Sequence, residues 1–203
     1  MTAIPLPDGL QRLLAAGEEL RRSHNRGRYA PSPTGPLHLG NLQTALLSWL
    51  VSRLQGGEWL LRIDDLDTPR NRLGAEASIL ADLAWLGLHW DGPLIRQSER
   101  RGLYATVLSS LRRAGALYPC RCSRRLLADV SAPHGRSPVY PGFCRPLPPR
   151  WGPEADRLPS WRLALAPGRL RWEEQLAAAG ALDAEREVGD VVLRRADGFL
   201  AYH

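Results

Sequence analysis

The sequence predicts an α/β fold, a doubly wound parallel sheet carrying a small insertion, on three observations. Strand-like and helical runs alternate over residues 26–119. A stretch rich in proline, arginine, serine and glycine, with little periodicity, interrupts them from Cys120 to Pro159, and strand-like runs resume after it. The 203 residues, 44% hydrophobic and 24% charged, suffice for one sizeable core with an appendage, which excludes a fibrous or wholly disordered chain.

The elements follow in order. Within residues 1–25, Leu10, Leu13, Leu14 and Leu20 form one helical stripe, and Arg21 and Arg22 end it where a helix dipole favours cations. Gly27 to Ala30 is a short strand running into Pro31-Ser32-Pro33-Thr34-Gly35-Pro36, a stiff loop that can continue neither a helix nor a central strand. Leu42, Ala45, Leu46, Trp49, Leu50 and Leu54 then recur as the buried face of a helix closed by Gln55-Gly56-Gly57, and Trp59 to Ile63 is a second strand. Strand, helix and strand in so short a span make a βαβ unit, hence a parallel pair with a right-handed crossover. Ala75 to Leu86 and Gly102 to Ala114 are further helices, and Ala116 to Pro119 is a strand. Beyond the insertion, Trp161 to Leu165 and Val191 to Arg194 are strands, and Asp197-Gly198 turns a hairpin whose second strand, Phe199 to Tyr202, is cut off at His203.

Composition narrows the function classes. No window approaches the run of about 18 apolar residues needed to span a bilayer, and no basic-then-apolar signal opens the chain, so a cytoplasmic protein without membrane partners is expected. Three cysteines argue against a disulfide scaffold and for a metal site or free thiols. All 27 basic residues are arginine, at net +6, which suits phosphate-bearing partners.

Two constellations carry chemistry. Arg28-Tyr29-Ala30-Pro31-Ser32-Pro33-Thr34-Gly35, then His38-Leu39-Gly40-Asn41, set small residues, a histidine and an asparagine at the mouth of the long helix, where free N–H groups and the dipole favour phosphate. Cys120-x-Cys122 and Cys144 supply three soft sulfur ligands in a segment unable to fold around apolar side chains, and zinc would staple it. His134 is one candidate for a fourth ligand.

Together with Leu61-Arg62-Ile63-Asp64-Asp65-Leu66-Asp67-Thr68-Pro69-Arg70 and Gly189-Asp190-Val191-Val192-Leu193-Arg194-Arg195-Ala196-Asp197-Gly198, these blocks resemble the class I glutamyl-type aminoacyl-tRNA synthetases over Arg26 to His203. The resemblance implies a Rossmann-like catalytic core, an enzyme of the ligase class, and glutamyl-adenylate formation from L-glutamate and ATP with Mg²⁺. The compact chain with a Cys-x-Cys, Tyr-x3-Cys insertion is similar to the short branch lacking an anticodon-binding domain. That branch implies transfer of glutamate to the queuosine base of tRNA(Asp) by a monomeric enzyme.

Residue by residue, the resemblance implies a glutamate site lined by Arg28, Tyr29, Ala30, Pro31 and Ser32, with Arg28 pairing a carboxylate. Asp64, standing where the family usually has Glu, would hold the substrate ammonium, and Tyr202 matches a substrate-contacting tyrosine. His38 and Asn41 would be catalytic and, with Gly40, nucleotide-binding. Zinc would be held by Cys120, Cys122, Tyr140 and Cys144, the tyrosine matching the family's ligand.

The implied layout is an extension at 1–25, a first part of the nucleotide-binding core at 26–119, a zinc-binding insertion at 120–159, and the rest of the core at 160–203. The family's mobile lysine loop and a second substrate-binding arginine are expected beyond His203, since the chain has no lysine. Two other readings are a truncated, inactive module that keeps RNA or nucleotide affinity, and a catalytic fragment of a glutamyl-tRNA synthetase. Trp49, Trp85, Trp90 and Trp161 are expected in or at the edge of the core. Arg121, Arg124, Arg125, Arg145 and Arg150 are expected on a solvated face or against an RNA backbone.

Overall fold

The structure, a computed structural model, describes residues 6–123, 125–127, 139–173 and 178–201. It divides into two compact units, 1–110 and 111–203. The first holds α1 (Asp8–Ser23), β1 (Arg26–Tyr29), α2 (Leu39–Leu54), β2 (Glu58–Ile63), α3 (Ala75–Trp85) and β3 (Ile95–Arg96); α4 (Arg101–Arg113) crosses the division. β1, β2 and β3 form a parallel sheet in that order, with Arg26 to Tyr29 in register with Glu58 to Leu61 and Arg62–Ile63 with Ile95–Arg96. The fold is therefore α/β with a parallel sheet, built from the expected βαβ unit.

Burial alternates along β2. Trp59, Leu61 and Ile63 are buried against Tyr29, Ala45, Ile79, Leu83 and Leu88, while Leu60 and Arg62 are half-buried. At the polar edge of this core, Trp59 Nε1 donates to Ser48 Oγ at 2.9 Å, and Asp91 accepts from the Trp59 amide at 2.8 Å and from Arg53 at 2.7 Å. Those two donors, the amide first, hold the Asp91 carboxyl below its ordinary range.

The buried face of α2 is not the leucine stripe expected from its periodicity. Ala45 and Ser52 are buried, whereas Leu46, Leu50 and Leu54 are exposed. The helix meets the sheet through small residues because it lies very close to β1: a Cβ built on Gly27 would overlap Ser52 Oγ. α1 forms where expected, but none of its residues is buried, and Leu13, Leu14 and Leu20 stay exposed. Trp49 and Trp90 pack at the core edge as expected; Trp85, at the end of α3, is exposed.

The second unit holds β4 (Leu117–Cys120), β5 (Ser160–Leu163), β6 (Arg169–Trp172), β7 (Gly180–Asp183) and β8 (Val191–Arg194). β4 does not extend the parallel sheet. It pairs antiparallel with β5, which pairs with β8, and as an edge strand it tolerates Pro119, which has no N–H to donate. Arg194 bridges Leu200 around Asp197-Gly198, so the expected hairpin turn is present. The β6–β7 hairpin has no counterpart in the sequence reading, because all four residues of β6 are exposed and no burial pattern marks them. No described helix is long and apolar enough to cross a membrane.

Candidate active site and metal centre

The strands of a parallel sheet run in one direction, so the segments leaving β1, β2 and β3 emerge at the same carboxyl edge, where ligands of open α/β sheets bind. Hydrogen bonds tie these segments together. The Asp64 amide donates to Pro31 O and the Arg72 amide to Pro33 O, both at 2.9 Å. Asp65 accepts from the Ser98 amide at 2.8 Å and from the Ser98 hydroxyl. Pro31 and Pro33 are buried, Ala30 and Ser32 half-buried, and Arg28 exposed without a carboxylate in ion-pair range among the described residues. The Tyr29 ring belongs to the core, stacked on Trp59 at a 6.0 Å centroid distance.

His38 is the N-cap of α2. Its Nδ1 accepts from the Asn41 amide, and Asn41 Oδ1 accepts from the His38 amide, each at 3.3 Å, a reciprocal capping box made by the two residues singled out for phosphate. Assigned from this bonding, the ring proton sits on Nε2, leaving an N–H donor beside the positive end of the helix dipole. Gly40 fits beneath the ring: a Cβ there would come within 3.1 Å of His38 Cε1. Asp64, only 6% exposed, is gripped by Arg62, with Nε on Oδ1 at 2.5 Å and Nη2 on Oδ2 at 2.9 Å. Arg62 escaped the sequence reading. The one available signal was the alternation that puts residues two apart at a strand end on the same side.

In the second unit, the Tyr140 hydroxyl lies 3.4 Å from Cys120 Sγ, 3.6 Å from Cys122 Sγ and 3.0 Å from the Cys144 amide that donates to it. Cys122 and Cys144 sulfurs are 3.6 Å apart, all three sulfurs fall within 4.8 Å of one another, and none is in a disulfide. A tetrahedral ion bound by three sulfurs at about 2.3 Å and an oxygen at about 2.0 Å has ligand–ligand edges of about 3.5–3.8 Å. The donor set therefore fits zinc in both chemistry and spacing. Within the cluster burial pushes the Cys122 thiol up to about 11 and raises Tyr140 as well. Cys144 is lowered: burial opposes this, but the Arg121 amide and the Tyr140 hydroxyl outweigh it.

Arg121, between the first two cysteines, donates to Gly152 O and Arg157 O and pairs with Glu154 at 3.2 Å, so it pins the 150–157 loop. Arg145 and Arg150 are likewise engaged, with Leu165 O and with Glu154. Trp161 packs edge-on against Trp151. His134, Arg124 and Tyr202 lie outside the described residues.

Tyr140 is locked by its neighbours. It bridges Gly189, which has φ +71°, and a Cβ on Gly189 would come within 2.9 Å of the Tyr140 amide nitrogen. Gly189→Ala, strained in conformation and in clash with that backbone, is expected to destabilise the protein by about 1–3 kcal/mol in thermal unfolding. An unchanged Tm would show that Tyr140 has room to move.

The catalytic-domain family of class I tRNA synthetases for E and Q (glutamate and glutamine) matches residues 25–134. A glutamyl-Q tRNA(Asp) synthetase of Prochlorococcus marinus is 58% identical over 202 residues, covering 100% of this chain and 61% of that protein. A protein of the same name from Dechloromonas aromatica is 49% identical over 87% of this chain and 58% of its own length. The chain thus spans about three-fifths of the length of the curated relatives it matches. A glutamate tRNA ligase of Elizabethkingia meningosepticum, solved in complex with its amino acid, superposes with a TM-score of 0.67 at 28% identity, covering 88% of this chain and 40% of that one.

Proposed function

Because the chain belongs to the catalytic domains of the class I tRNA synthetases for glutamate and glutamine, we propose that it serves a cytoplasmic, monomeric ligase. That ligase would activate L-glutamate with MgATP and transfer it to the queuosine base of tRNA(Asp). The observation that carries this reading is the His38–Asn41 capping box at the carboxyl edge of the parallel sheet, joined through Pro31 to the Asp64 segment. Glutamate-specific class and acceptor follow the names of the similar proteins.

The reaction needs no activated protein nucleophile. The substrate carboxylate attacks the α-phosphorus, pyrophosphate leaves with the bond electrons, and the protein orients reactants and stabilises charge. His38 Nε2–H, held in place by its capping box with Asn41, and the free amides at the start of α2, Gly40 among them, donate to phosphate oxygens. The exposed Arg28 guanidinium pairs the glutamate side chain in bidentate fashion beside Ala30, Pro31 and Ser32. Tyr29 supports that wall from the core, Asp64 receives the α-ammonium while Arg62 fixes its carboxylate, and Tyr202 is assigned a substrate contact by the family resemblance alone. Zinc on Cys120, Cys122, Tyr140 and Cys144 would serve structure, fastening the 120–159 insertion within a core laid out as 26–119 and 160–203, with 1–25 as an extension.

Calorimetry with a non-hydrolysable sulfamoyl analogue of glutamyl-adenylate tests this. The glutamyl analogue is expected to bind at least about tenfold more tightly than the aspartyl one, and Arg28→Ala to abolish that preference, given the 1.5–3 kcal/mol typical of hydrogen bonds to charged groups. Equal binding of the two analogues would overturn the reading.

A further inference from the structure

Arg162 on β5 is a buried charge that the activation chemistry does not use. It is 9% exposed, and no carboxylate comes within ion-pair range of it among the described residues. Its Nη1 donates to Asp190 O at 2.6 Å, while its buried Nε has no hydrogen-bond partner. The guanidinium carbon lies 3.7 Å from the centroid of the Tyr140 ring, in face contact. Asp190 could have neutralised it, but its carboxylate is taken by the Tyr118 hydroxyl at 2.6 Å and the Leu165 amide at 2.8 Å, and only its backbone oxygen reaches Arg162. A buried guanidinium without an anion is costly.

The Cys120, Cys122, Cys144 and Tyr140 cluster provides that anion. Three thiolates and a phenolate around a divalent ion are formally dianionic, and the Tyr140 ring separates Arg162 from the sulfurs that its hydroxyl touches. We propose that Arg162, held by Asp190, is a positioning residue for the metal centre. It fixes the plane of the Tyr140 ring, aims its oxygen at the three sulfurs and offsets the negative charge of the loaded site. This inference rests on the zinc reading above. The Asp190 carboxylate completes the arrangement by fixing the backbone from which Arg162 hangs.

Chelator competition for zinc, in wild type, Arg162→Met, Arg162→Lys, Tyr140→Phe and the two double variants, tests it. Arg162→Met is expected to weaken zinc binding about 10- to 100-fold, the usual effect of losing an outer partner of a metal ligand. Arg162→Lys, which keeps the charge but cannot lie flat, should lose less. In the Tyr140→Phe background both losses should largely vanish, because Arg162 acts through that oxygen. Cobalt(II) substitution supplies a second readout: Arg162→Met should shift the visible bands of the cobalt protein, and the shift should disappear with Tyr140→Phe. If the methionine variant does not fold, the lysine variant carries the same cycle. Equal affinity of wild type and the Arg162 variants, or a full Arg162 effect that persists in Tyr140→Phe, overturns the proposal. A wild-type protein that takes up no zinc overturns the zinc reading instead.

Discussion

His38→Ala is expected to slow any glutamate-dependent ATP–pyrophosphate exchange by the proposed ligase by about 10² or more, the usual cost of removing one donor aimed at developing charge. The capping role of the same ring complicates the substitution. Its Nδ1 satisfies the Asn41 amide, so alanine also costs about 1 kcal/mol of helix stability. His38→Ser separates the two roles, because a serine hydroxyl can cap the same amide yet cannot reach as the imidazole does. Exchange in His38→Ser should stay near the alanine level while thermal stability returns close to wild type. If serine restores the rate, or alanine leaves it unchanged, His38 is a cap and nothing more.

Cys144→Ser is expected to leave less than half an equivalent of zinc after purification without chelator, and to lower Tm by on the order of 10 °C. Among the described residues, the cluster around this site has Tyr118, Cys120 and Tyr140 buried, with Cys122, Leu127, Cys144 and Ala164 half-buried against them, little apolar matter to hold an insertion rich in proline and arginine. Losing about 3 kcal/mol of metal-derived stability in a chain of this size shifts Tm by roughly that amount. The sulfur of Cys144 is 3.6 Å from that of Cys122, and its amide donates to the Tyr140 hydroxyl, so serine preserves the backbone contact and removes only the soft ligand. Full zinc content with an unchanged Tm would contradict this.

Periodicity in the sequence made the βαβ unit of the first part legible, and rare residue types at tight spacing marked the cysteine cluster. The structure also sets the Tyr140 hydroxyl beside the sulfurs of Cys120 and Cys122 and the amide of Cys144. What stayed hidden has physical causes. The leucines of α2 looked like a buried face because apolar spacing does not record how closely a helix approaches its sheet, and Gly27 with Ser52 decides that here. β3 has two residues, too few for any period to show. Arg162 could not be found because its role depends on Tyr140, distant in sequence and brought over it only by folding of the second unit, whereas Arg62 was legible only from the alternation that sets Asp64 two residues on along the same strand end. In the structure Asp64 and Asp65 are bonded within the edge of the sheet and Asp67 pairs with Arg70.

The pairing of β4 with β5 carries a consequence for how the second unit forms. Cys120 and Ser160 are register partners, so the strands can zip only after a loop of about forty residues closes, at an entropic cost that grows with the logarithm of loop length. With Cys120, Cys122 and Cys144 drawn to one ion, the free part of that loop falls to about fifteen residues, which removes about 0.8 kcal/mol of closure entropy before any strand hydrogen bond exists. Folding in the presence of zinc should then be faster as well as more stable, and a metal-starved chain should linger with its thiols open to oxidation.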